Sequence, residues 1–217
     1  MARWTVAYHH GNLPDALLDA VESAIAEHGV SGLSLRDVAR RAGVSHSAPA
    51  HHFGGKAGLL TAFATAGYRL LAEHVTGEVA AAGTDDPAAG VAAAGRGYVQ
   101  FAVTRPAYFE VMYRLDALNP ADPGLVRARE TVAGLLAAAI ERCAAAGRLH
   151  GRPAGTVFTA AWSLAHGLAA LGISGRLTER GGGSDPQQLA AAALDLFVQA
   201  VLPAPRHTPA RPQDAAP

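Results

Sequence analysis

The sequence predicts an all-α protein, with three helices grouped at the N-terminus and a larger helical bundle behind them. Two observations carry that prediction. Alanine and leucine, which favour helix, recur along the chain, and no segment shows the period-two alternation of a half-buried strand. Glycine, proline and polar runs interrupt the pattern at intervals suited to helix ends. Half of the residues are apolar and 17% are charged, which excludes a disordered or fibrous chain and supplies a core.

The first helix is expected over residues 13–27. Asn12 is placed to cap it, Pro14 suits its first turn, and Asp15 suits its positive end. Leu17, Leu18, Val21, Ala24 and Ile25 make one apolar stripe, and Gly29 supplies a stop. Ser34 is placed to cap a second helix, LRDVARRA, closed by Gly43. A third segment, SHSAPAHHF, is broken by Gly54 and Gly55. A long helix is then expected over 57–82. After the polar TDDP run at 84–87, further helices are expected at 88–104, 107–116, 125–146, 154–173 and 186–201. The proline- and alanine-rich tail, 203–217, has little to bury and is expected to be disordered.

Lys+Arg and Asp+Glu are both 18, so the formal net charge is zero and any basic surface must be local. The single cysteine, Cys143, excludes an intramolecular disulfide framework and fits a reducing compartment. No export signal is recognisable at the N-terminus. Residues 155–174 are about as long as a membrane span, but Ala, Gly, Ser and His166 interrupt their apolarity. The expectation is a buried helix of a bundle or dimer, and no membrane partner.

Within the N-terminal group, Ala39 is small where two helices must approach, and Gly43 permits a left-handed turn. Leu35, Val38, Ala42 and Val44 supply contacts behind that turn. This spacing fits equally an ordinary helical hairpin or a helix-turn-helix, a unit that presents its second helix to a DNA major groove. The string YHHGNLPDALLDAVESAIAEHGVSGLSLRDVARRAGVSHSAPAHHFGGKAGLL, residues 8–60, resembles the N-terminal DNA-binding domain of the TetR family of bacterial repressors. RPAYFEVMY (105–113) and AAWSLAHGLAAL (160–171) resemble a TetR C-terminal domain type with a Trp…His-Gly pattern.

The resemblance implies a DNA-binding domain over 8–60 and a helical ligand-binding and dimerisation domain over 61–202. It further implies a cytoplasmic homodimer on a palindromic operator in double-stranded DNA, released by a small-molecule effector, with no cofactor. It also implies a phosphate contact at Lys56, the only lysine in the chain. Lys56 follows two glycines at the start of the long helix, where a cation and free N–H groups suit a phosphate. The remaining candidates for DNA contact are Arg36, Ser45, His46, Ser47, His51 and His52. Either Ser45 or Ser47 is placed to cap the recognition helix. If Ser47 does, Pro49 falls comfortably in the first turn. Ala50 stands where the family usually carries an aromatic residue, so a common phosphate contact is missing. The histidine spacing does not put three imidazoles on one helical face, and no acidic or cysteine ligand adjoins, so no metal is expected.

In the larger domain Tyr98, Phe101, Tyr108, Phe109, Met112, Tyr113, Trp162 and His166 concentrate bulky side chains among alanines. They fit either a ligand pocket with polar tips or plain core. The helix around Trp162 and the last helix are candidates for the dimer interface. A helical enzyme would need a nucleophile with its base, a phosphate-binding loop or a metal motif, and none stands in the sequence. A DNA-associated protein that senses no ligand remains the other alternative.

Overall fold

The structure is a computed structural model and describes residues 13–83, 85–179 and 185–204. The expected cap at Asn12 and the segment 205–217 of the expected tail lie outside the described residues. The described residues form ten α-helices and no strand: α1 Leu13–Gly32, α2 Leu35–Arg41, α3 Ala48–Phe53, α4 Lys56–Ala82, α5 Pro87–Thr104, α6 Pro106–Met112, α7 Pro123–Ala145, α8 Ala154–Ile173, α9 Arg176–Glu179 and α10 Pro186–Val201.

α1 kinks at Gly29, whose φ of 69° is left-handed, and one further turn follows to Gly32. α1, α2 and α3 pack on one another and on the start of α4. α4 then runs on into the larger bundle, through the boundary expected between residues 60 and 61. α5 is the buried centre of that bundle, contacted by α4, α7, α8 and α10.

Three helices start with the same Asp-Pro pair. Asp86, Asp122 and Asp185 occupy the N-cap positions and accept hydrogen bonds from Ala88, Leu125 and Gln187 backbone N–H groups. A proline then opens each helix without losing a bond. The expected starts at 88 and 125 were therefore one and two residues late. The expected helix at 107–116 is also corrected. α6 stops at Met112, and a separate 3-10 turn, Leu115–Ala117, follows. The short α9 was not expected.

Two apolar clusters form the interior. The larger joins α1, α2, α4, α5 and α6 with residues of α7, α8 and α10, and Leu17, Val38, Leu59, Phe63 and Phe101 are fully buried in it. The smaller joins Val91, Ile140, Cys143, Val157, Val198 and Leu202 at the far end of the bundle. α8 is long and apolar enough to cross a membrane by composition, yet only 28% of its apolar window is buried within the chain. The burial expected for it is thus partial. Leu171 and Ile173 of α8 and Leu196 of α10 stand exposed.

Candidate nucleic-acid interface and cavity

Charge as well as packing holds the N-terminal unit together. Arg41 of α2 donates through Nε to Asp37 at 2.6 Å and through Nη2 to Glu27 of α1. Arg40 also pairs with Asp37. The Arg41 guanidinium holds the Glu27 and Asp37 carboxyls below their usual range. Two of the three α2 arginines are therefore occupied inside the unit. Arg36 is exposed and forms no ion pair among the described residues.

Ser47 occupies the N-cap position of α3, so the alternative with Ser45 as cap is not realised. Neither hydroxyl bonds to the helix; the two Oγ atoms lie 3.3 Å apart. Pro49 sits in the first turn and is buried, anchoring the helix from below. Ser45, His46, Ser47, Ala50 and His51 are left exposed. His52 is exposed too, but borders a groove shared with Asp15 and Asp19 of α1 and Arg69 of α4.

Gly54, with φ 72°, closes α3, and Lys56 opens α4 two residues later. Lys56 Nζ donates to the Leu33 carbonyl oxygen at 2.7 Å and so ties α4 to the α1–α2 connection. An ammonium has three N–H groups, so two remain for another acceptor. Gly58 has a structural role that the sequence did not reveal. A Cβ at this position would lie 1.8 Å from the Phe53 backbone oxygen, so only glycine lets α3 end where it does.

A cavity of about 460 Å³ lies between the two apolar clusters. Its walls come from α4, α5, α7, α8 and α10 and are mostly small or aliphatic: Val91, Ala94, Gly95, Leu136, Ala161, Leu194. Tyr68, Tyr98, Tyr113 and Trp162 add aromatic surface with polar tips. Of the eight residues expected to line a pocket, Tyr98, Tyr113 and Trp162 do so. The other five do not line this cavity, although Tyr108 borders the α1–α4 groove. Phe101 and Met112 are fully buried in the larger cluster, and Tyr108 stacks on Phe63 with centroids 3.9 Å apart. Phe109 and His166 stand behind the wall, with Phe109 packed on Tyr98, Tyr113 and His166. The sequence missed Phe158 and Phe197 as wall residues, and Arg129 and Glu130 at the exposed rim.

One wall carries a polar chain. The Tyr113 and Tyr98 hydroxyls are 2.5 Å apart, and the Tyr98 hydroxyl is 2.9 Å from His166 Nδ1. Burial pushes the Tyr98 and Tyr113 phenols up and the His166 imidazole down, so every member of the chain is held neutral.

α6 connects this wall to the N-terminal unit. At its C-terminal side Phe109 and Tyr113 touch the cavity chain. At its N-terminal side Arg105 donates to both Glu22 oxygens of α1, at 2.7 and 2.9 Å, and lies 4.9 Å over the Tyr108 ring.

Both halves of this arrangement have counterparts among known proteins. Residues 17–63 match the family model described as bacterial regulatory proteins, tetR family, and residues 91–197 match that of the tetracyclin repressor-like C-terminal domain. No curated protein matches significantly. A solved protein of unknown function from Rhodococcus sp. RHA1 is 32% identical with a TM-score of 0.77, over 91% of this chain and 100% of that one. The TetR family transcriptional regulator PfmR from Thermus thermophilus is 19% identical with a TM-score of 0.65, over 84% of this chain and 97% of that one. The transcriptional regulator FadR from Bacillus subtilis, solved in complex with stearoyl-CoA, is 13% identical with a TM-score of 0.67, over 86% of this chain and 98% of that one. The last two similarities speak to fold alone.

Proposed function

We propose, from the premise that this chain belongs to the TetR family of bacterial regulatory proteins, that it is a homodimeric repressor released from a palindromic operator by a small apolar or amphipathic effector. The family consists of DNA-binding regulators and not enzymes. The repressor, dimer, operator and effector are the proposal.

The single observation that carries it is the cavity joined by α6 to the DNA-reading unit. Tyr113 lines the cavity, while Arg105 and Tyr108, beside it along the same segment, hold α1 and α4. An effector that repositions α6 must then act on the unit that carries α3. Reciprocity follows. An effector that weakens operator binding by some factor is itself bound more weakly by that factor on DNA, with a coupling of about 1–3 kcal/mol being ordinary.

On the DNA side, Ser45, His46 and Ser47 in the turn before α3 and His51 on α3 are exposed where that helix would enter the groove, and Arg36 and Lys56 flank it on the backbone. His52 has a weaker claim, since it borders the α1–α4 groove. With so few free cations among the described residues of this unit, hydroxyls and backbone N–H groups carry much of the phosphate contact made there. The exposed apolar faces of α8 and α10 supply the dimer interface, each protomer giving two helices to a four-helix bundle. The FadR neighbour, solved with an acyl-CoA, supports a ligand in this fold. The site of action is the bacterial cytoplasm, where the DNA is. A gel-shift on the chain's own promoter region, with and without apolar ligands, tests the reading. A shifted complex that ligand dissolves supports it, and a complex indifferent to a broad ligand library returns the protein to a regulator without an effector.

A further inference from the structure

The cavity wall specifies the chemistry of its occupant. Tyr113, Tyr98 and His166 form a line of three hydrogen-bonding groups, 2.5 and 2.9 Å apart. A neutral imidazole carries one proton, on either nitrogen. With the proton on Nδ1, His166 donates to Tyr98, Tyr98 donates to Tyr113, and the Tyr113 proton is left to donate into the cavity. With the proton on Nε2, the line reverses: Tyr113 donates to Tyr98, Tyr98 donates to His166, and Tyr113 offers only lone pairs. The relay therefore satisfies a carbonyl or a hydroxyl by moving one imidazole proton, without creating a charge.

The cavity favours a neutral group over a charged one. The other two polar tips are engaged, Tyr68 with the Met112 carbonyl and the Trp162 indole N–H with the tyrosine hydroxyls; the rest of the wall is apolar, and its charged side chains, Arg129 and Glu130, are adjacent, opposite in sign and exposed at the rim. Arg129 acts electrostatically on the Tyr113 and Tyr68 hydroxyls, but it stands in water beside Glu130, so a carboxylate at Tyr113 would give up its hydration for a single solvated cation. A volume of about 460 Å³ takes a compact ligand in the ordinary small-molecule range.

We infer that the cavity selects a neutral, largely apolar molecule carrying one carbonyl or hydroxyl oxygen, which bonds to Tyr113 and is read through Tyr98 and His166. This inference rests on the reading of the cavity as the effector site.

The test uses the full chain with Trp4→Phe, which leaves Trp162 on the cavity wall as the one tryptophan reporter. Two matched probe sets are titrated against its fluorescence: 2-tridecanone, 2-tridecanol, tridecane and tridecanoate; and 1-tetralone, 1-tetralol, tetralin and tetralin-1-carboxylate. In at least one set the ketone or alcohol should bind about tenfold or more tighter than the hydrocarbon, and the carboxylate weakest of the oxygenated probes. Tyr113→Phe should bring that ratio near one while leaving hydrocarbon affinity unchanged. If Tyr113→Phe does not fold, Tyr98→Phe breaks the relay instead and should reduce the same ratio. Tightest binding by a carboxylate, a ratio unchanged by these variants, or no binding by any ketone or alcohol overturns the inference. Operator release is measured separately. Release by a ligand whose affinity ignores Tyr113 sinks this inference but keeps the effector reading. Tyr113-dependent binding that leaves the operator complex intact does the reverse.

Discussion

Gly58→Ala puts the packing of the recognition helix directly at risk. The added Cβ would lie 1.8 Å from the Phe53 carbonyl oxygen, where about 3.0 Å is the least that real contacts show. The difference, 3.0 minus 1.8, requires a shift of about 1.2 Å. The obstructing atom is backbone, so no rotamer change relieves it. The shift must pass into the C-terminal end of α3, which carries His51 and His52. Overpacking costs about 1–3 kcal/mol, and a rigid backbone partner places this case at the upper end. At a slope of about 3 kcal/mol per molar urea, that lowers the midpoint by about 1 M. Protein concentration is held fixed, because a dimer's midpoint depends on it. Operator affinity should fall at least tenfold under conditions where the variant is folded. Gly77→Ala is the control on the same helix. A Cβ there meets nothing within 4 Å, so the change should add about 0.5–1 kcal/mol. A Gly58→Ala protein with parental midpoint and parental operator affinity would refute the contact between α3 and α4.

Three further outcomes are expected. Lys56→Ala should weaken binding to all operator variants about equally and flatten the log-affinity against log-salt slope by about one, because a phosphate contact carries no sequence information; an unchanged slope would leave Lys56 with its Leu33 bond alone. Acidification should destabilise the fold first through His166. Its folded-state pKa is depressed by burial, so below its ordinary value of 6.5 the unfolded chain takes up the proton first and stability falls, while above that value the contribution is constant; His166→Gln should flatten this part of a pH–stability profile measured by urea melts. Arg105→Ala should cost about 1–2 kcal/mol from the lost ion pair and ring contact, and it should reduce ligand-induced release more than operator binding; equal loss of both would deny α6 its connecting role.

Much of the fold was legible in the sequence because its helix ends are written in local chemistry. Gly29, Gly43 and Gly54 adopt the left-handed turns that their positions implied. The Asp-Pro starts are equally local, and the helix expected at 186–201 begins on its proline, yet those expected at 88 and 125 began after theirs, and α6 ends early although its apolar pattern continues toward residue 116. The three N-terminal helices were legible in the sequence, yet the Lys56 bond goes to a backbone carbonyl 23 positions away, which no side-chain pattern announces. The cavity was least legible. Bulky residues drew attention, but Phe101, Tyr108 and Met112 fill the core. The space itself is lined by Ala94 and Gly95 of α5 and Ala161 of α8, small residues whose shared surroundings exist only after packing.

The central claim is a dimer that reads a palindrome through one recognition helix per protomer. Footprinting of the full chain on its own promoter region, paired with sedimentation of the protein–DNA complex, tests it most directly. The account predicts two symmetric half-sites in successive major grooves, about one helical turn or slightly more apart, occupied by two chains. Protection of one asymmetric half-site by a single chain, or no protected site at low salt, would contradict it.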